Sequence, residues 1–204
     1  MGLHEDALQL ADKTIQIDPL YRQGLTMQIY SNFYLGNLEK TVNLCQSFLD
    51  IAPNNITALE YLFRASYLLK DKKQALAAWD NMEKIDADAT KRLGLELENA
   101  LLRNNSTYVD IILKEENQNA KFNIYSFQGE VEKAEKAFQL ATEEFLNYAD
   151  SEAIPQGSIY LDLLKDRKLE QYQSKDWFQQ ALSTEKKKYD YLFNKYPRAK
   201  EILN

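Results

Sequence analysis

Apolar residues in the first half of the chain recur at a helical cadence, and that cadence itself repeats. Leu25, Ile29 and Phe33 lie four residues apart, which aligns them on one stripe of a helix that must be buried. A step of 34 residues lands on Leu59, Phe63 and Tyr67, and a second step on Leu93, Leu97 and Leu101. A second helix in each unit carries the other half of the pattern. Ala7, Thr41, Ala75 and Val109 form one series, Ala11, Cys45, Trp79 and Leu113 another, and Ile17, Ile51 and Ile85 a third. Small residues at Ala7, Thr41 and Ala75 sit where the paired helices must approach closely, while Phe48 and Trp79 fill wider gaps. One such helical pair cannot bury its own apolar face. Stacking buries it, and each large side chain enclosed at a seam contributes roughly 1.5–3 kcal/mol.

The punctuation keeps the same period. In "YLGNLEK" Gly36 and Asn37 break the helix, and in "LLKDKKQ" Asp71 stands at the equivalent place. "IDPL" and "IAPN" close the second helix with Pro19 and Pro53, because proline removes a donor and restricts the residue before it. The third unit has Ala87 there instead, in "IDADA". Beyond it the period slips, since Val109 and Ala134 are 25 residues apart. Asn104, Asn105 and Ser106 read as a turn and cap before a short apolar stripe of Tyr108, Ile111, Ile112 and Leu113.

The 34-residue spacing, the helical hairpin, Gly36 to Thr41 as G-x-L-x-x-T, and the "IDP" and "IAP" terminators together resemble the tetratricopeptide repeat family. The resemblance covers about residues 2 to 113 and returns in "GEVEKAEKAFQLATEEF", at Gly129, Val131, Ala134, Phe138 and Ala141. It implies an all-α, right-handed superhelical solenoid. Residues 1–150 would form the repeats, with an incomplete first and an irregular fourth, and 151–204 a divergent helical cap. That cap resembles the terminating unit of some bacterial repeat arrays at Ile154 and Pro155, at Asp176, Trp177, Phe178 and Ala181, and at Tyr196, Pro197, Arg198, Ile202 and Leu203. In the resembling proteins such ends follow a catalytic or DNA-binding domain, which implies a region of a larger bacterial signalling or regulatory protein. The opening "MGLHEDALQLADKTIQIDP" has a second helix without its first, so either the chain is cut from a longer one, the favoured expectation, or this helix is a native cap with an exposed side.

Composition narrows the classes. The chain has 204 residues, of which 45% are apolar, and its 6 Gly and 4 Pro are few enough to favour helices throughout. With 25 basic residues against 31 acidic ones, interspersed, the net charge of −6 repels phosphate backbones, so no nucleic-acid partner is expected. No apolar run approaches the roughly 18 residues that span a bilayer, and no targeting segment stands at the N-terminus. The expectation is a cytoplasmic protein without a membrane partner.

Candidate chemistry is sparse. The chain has no phosphate-binding glycine loop, no HExxH and no metal-spaced cluster of Cys and His. Its one histidine, His4, lies at the frayed start, and its one cysteine, Cys45, occupies a packing position. Glu115 with Glu116, and Glu143 with Glu144, diverge by about 100° on a helix and converge on no substrate. "EKKK" at Glu185 to Lys188 reads as a solvated face. The expectation is therefore no enzyme, no metal and no cofactor.

What remains is surface. In a stack of hairpins the first helices line the inner wall, and their outward positions are Gln23, Thr26, Tyr30, Tyr34, Thr57, Glu60, Arg64, Tyr67, Lys91 and Glu98. Tyr and Arg join large contact area to hydrogen bonding, as interfaces require. The expected function is a protein-interaction scaffold that grips a peptide or protein in this groove, with self-association left open. Its alternative is a regulatory domain that senses a ligand or signal peptide among Tyr30, Tyr34 and Arg64. Some tetratricopeptide proteins hold a chaperone's terminal carboxylate with a lysine and asparagine clamp. The matching places here hold Thr26, Tyr30, Glu60 and Arg64, so that clamp is absent.

Overall fold

A computed structural model describes residues 4–150, 169 and 172–195. The described residues are all-α, with no strand among them, and the helices pack in adjacent pairs. They are α1 (His4–Ile17), α2 (Arg22–Tyr34), α3 (Leu38–Ile51), α4 (Ile56–Leu68), α5 (Lys72–Ile85), α6 (Ala89–Arg92), α7 (Glu96–Leu102), α8 (Ser106–Lys114), α9 (Gln118–Gln128), α10 (Val131–Asp150) and α11 (Asp176–Lys195). The chain divides into two compact units, parting at Asp110. The boundary expected at 150 lies against residues outside the described ones.

In the first unit the 34-residue period is present in the backbone itself. Gly36, Lys70 and Asn104 all adopt left-handed φ, at 75°, 61° and 56°. Each is followed by a residue that serves two helices. The N–H groups of Asn37, Asp71 and Asn105 donate back to the carbonyls of Asn32, Ser66 and Ala100, each at 2.9 Å, and close the helix before them. Their own carbonyls accept from Thr41, Ala75 and Val109 and open the next helix. Two of the three also cap with their side chains. Asp71 Oδ1 accepts from Gln74 N at 3.0 Å and Asn105 Oδ1 from Tyr108 N at 3.2 Å. Asn37 instead donates through Nδ2 to Oδ1 of the buried Asn32, at 3.2 Å.

The core follows the apolar series. Ile29, Leu59 and Phe63 are buried, with Leu25, Phe33, Tyr67 and Leu93 packed against them. From the second helices Thr41, Cys45, Ala75 and Trp79 are all buried, and Phe48 and Met82 complete the seams between α2, α3, α4 and α5. Phe63 lies with its ring 5.7 Å from that of Trp79.

Three expectations fail in detail. The first helix of the third unit is not continuous, because the chain turns at Gly94, φ 64°, and divides it into α6 and α7. The turn drives Leu95 fully into the core. Ile17, Ile51 and Ile85 share the period but are 86%, 49% and 38% exposed, since each ends its helix, where neighbouring side chains run out. Glu185, read as part of a solvated face, is buried, whereas Lys186 and Lys187 beside it are exposed.

In the second unit α9 turns at Gly129, φ 76°, into α10, and α10 packs against α9 and α11. Phe122, Ala134, Ala137, Leu169, Tyr172 and Phe178 form its core, with Phe138 and Trp177 packed against them. Of the residues read as a cap, Trp177, Phe178 and Ala181 stand on α11, the latter two buried. Ile154, Pro155, Tyr196, Pro197, Arg198, Ile202 and Leu203 lie outside the described residues.

Candidate functional site

The ten surface positions named from the sequence all fall on α2, α4, α6 and α7 of the first unit. Helices α2 and α4 touch directly, which brings part of the set together. Tyr30 and Tyr34 lie one turn apart on α2, their ring centroids 4.7 Å apart and their hydroxyls 3.5 Å apart. Both are partly exposed. Tyr61 of α4 lies beneath them, buried, 5.1 Å from the Tyr30 ring and 5.1 Å edge-on from Phe33. His4 of α1 stacks nearly parallel on Tyr34 at 4.8 Å. The result is an aromatic shelf with its hydroxyls turned to one another.

Burial raises two of the shelf's phenols, Tyr61 and Tyr34. It pushes the Tyr61 phenol far above its ordinary range, and the hydroxyls of Tyr30 and Tyr34 add to that shift. Tyr34 is raised for the same first reason, with the Tyr30 hydroxyl second and Arg64 opposing. These phenols keep their protons at neutral pH and can both donate and accept.

Arg64 forms the next part of the surface. Its Nε donates to Glu60 Oε1 at 2.8 Å, one turn back on α4, and its Nη2 donates to the Leu93 carbonyl at 3.1 Å. The guanidinium thereby ties α4 to the turn that separates α6 from α7. Tyr67 packs partly into the core, and its phenol is raised by burial first and then by the charge of Glu98. Glu98 Oε2 is buried without a hydrogen-bond partner among the described residues. The remaining candidates stand apart. Thr26 returns its hydroxyl to the Arg22 carbonyl at 2.9 Å, Gln23 accepts from the Tyr21 hydroxyl, Thr57 is half-buried, and Lys91 is exposed on α6 before the Gly94 turn.

Two members of the surface were not among the ten. Met27 is 43% exposed, one turn before Tyr30, and extends the apolar stripe along α2. Tyr61 is the floor of the shelf. They are 34 residues apart, so the period that located Tyr30 and Arg64 as equivalents was also the signal for this pair.

The second unit offers a different feature, a cleft of about 170 Å³ between α10 and α11. Trp177, Gln139, Thr142 and Glu143 line it, and Gln139 Nε2 donates to Glu143 Oε1 at 3.0 Å. Gln180 and Thr184 of α11 line its other side. Among the described residues no three His, Cys, Asp or Glu side chains gather to hold a metal, and no helix is long and apolar enough to cross a membrane. Comparison with family models, curated proteins and solved structures returns no significant match.

Proposed function

We propose that the chain is a non-catalytic interaction scaffold of tetratricopeptide-like hairpins stacked as a solenoid, and that it holds an extended peptide along α2 and α4. The observation that carries this reading is the exposed stripe of Met27, Tyr30 and Tyr34, continued at Arg64 on the adjoining helix. Soluble surfaces seldom gather large apolar side chains in one contiguous row. Tyrosine rings held by Tyr61 and Phe33 lose little freedom on binding, and their hydroxyls offer a peptide backbone both donors and acceptors. Arg64 is already oriented by Glu60 and Leu93, so a partner gains its remaining donors without ordering it.

The test is selection of peptide ligands from a displayed random library against the full chain, followed by titration of the recovered peptides. Replacing Tyr30 and Tyr34 together by Ala should weaken the best ligand by at least about tenfold, the loss expected for removing an interface anchor. Unchanged helicity must accompany the loss. A library that yields no ligand, or ligands indifferent to both tyrosines, would sink the reading.

A further inference from the structure

The surface along α2 and α4 has hydrogen-bond donors to spare and few acceptors. Arg64 carries donors only. Its Nε gives a proton to Glu60 at 2.8 Å and its Nη2 another to the Leu93 carbonyl at 3.1 Å. Its remaining N–H groups meet no acceptor among the described residues, and the side chain is 32% exposed. The phenols are spent in one direction as well. The hydroxyls of Tyr30 and Tyr34 both favour the protonated form of Tyr61, and Tyr34 donates to the Tyr30 oxygen at 3.5 Å. Tyr30 ends this series. It is partly exposed, and its own O–H finds no acceptor among the described residues.

The two unspent donors open on one stretch of surface. Tyr61 and Arg64 are three residues apart on α4, which makes them neighbours on one helix face, and Tyr30 lies over Tyr61. Glu60 is the carboxylate beside them, and it already accepts from Nε. A group that brings only acceptors would satisfy both Arg64 and Tyr30. We infer that the peptide held along α2 and α4 carries an aspartate or glutamate whose carboxylate accepts from the unspent N–H groups of Arg64 and from the Tyr30 hydroxyl. This rests on the reading of the surface as a peptide site and adds the chemistry of the partner. A monoanion suits the place better than a phosphate, because Glu60 offsets part of the Arg64 charge and would oppose a second negative charge. A residue within the peptide suits it better than a chain end. Helix α4 meets α2 at Tyr61 and the turn after α6 at Arg64, and exposed positions continue on both neighbours, at Met27 and at Lys91.

The probes are the peptides recovered by display against the full chain, synthesised with acetylated and amidated ends. Replacing their acidic residue by its amide should weaken binding by about tenfold or more, as expected for losing hydrogen bonds to a charged group. Tyr30→Phe keeps the ring and removes the donor. It should weaken the acidic peptide by about tenfold and leave the affinity of the amide form unchanged. Arg64→Gln should behave in the same way where circular dichroism shows the helices intact, and otherwise Tyr30→Phe alone decides. Peptides that need both tyrosine rings yet share no acidic residue, or lose nothing when it becomes an amide, overturn the inference and leave the peptide reading standing. A library without ligands removes both. Binding that requires a free terminal carboxylate, or that tightens when phosphoserine replaces the acidic residue, overturns the inference too, since it assigns the donors to a different anion.

Discussion

Lys70 holds a left-handed backbone, φ 61°, at the place where Gly36 holds φ 75° one period earlier. The turn demands that conformation whichever residue fills it, because the next N–H must reach back to close the helix. For a side chain with a Cβ the conformation costs roughly 1–2 kcal/mol, partly offset by the greater freedom glycine has in the unfolded chain. Lys70→Gly should therefore stabilise the protein by about 1 kcal/mol. Urea unfolding would show a higher midpoint with an unchanged slope, and a lower midpoint would mean that the Lys70 side chain makes a contact that outweighs the strain.

Membership of a 34-residue series does not by itself predict how much a residue matters. Phe63 and Ile51 both belong to such a series, yet Phe63 is fully buried and Ile51 is 49% exposed. Phe63→Ala should cost about 3–5 kcal/mol, and Ile51→Ala well under half of that. Equal losses in chemical denaturation would mean that the helix end is packed far more tightly than its exposure indicates.

The alkaline side of the stability profile should slope downward in two stages. Burial pushes the Cys45 thiol up to about 12, while an unfolded thiol ionises near 8.5. Between those values the unfolded chain has lost a proton that the folded chain still holds, so stability falls as pH rises, by up to about 1.4 kcal/mol per pH unit. Tyr61 and Tyr67, both raised by burial, add to the slope above about pH 10, where unfolded tyrosines ionise. In Cys45→Ala the first stage should vanish and the second remain. A slope between pH 8.5 and 10 that survives the substitution assigns the effect to other groups.

Much of the fold was legible because it is periodic. Leu25, Ile29 and Phe33, repeated at Leu59, Phe63 and Tyr67, announce two helices with buried stripes, and the core follows both. The third copy misleads, since Leu93, Leu97 and Leu101 keep the spacing while Gly94 permits a turn that spacing alone does not reveal. Glu185 shows the converse limit. A charged residue among lysines looks solvated until tertiary packing encloses it. Position in the repeat put Tyr30, Tyr34 and Arg64 on neighbouring helices, whereas the burial of Tyr61 beneath the two tyrosines comes from the packing of α4 on α2. The Arg64 bond to the Leu93 carbonyl depends on the Gly94 turn and could not precede it.

Asn37, Asp71 and Asn105 each end one helix and begin the next, which leaves the corner of each hairpin without slack. Chain length can vary between α3 and α4, at Ala52 to Asn55, where no single residue serves both neighbours in this way. Inserting one residue at a corner would unfasten two helix ends at once. Under a pulling force the same corners would act as rigid brackets, so the first unit should lengthen by whole hairpins peeling away and not by the opening of individual turns.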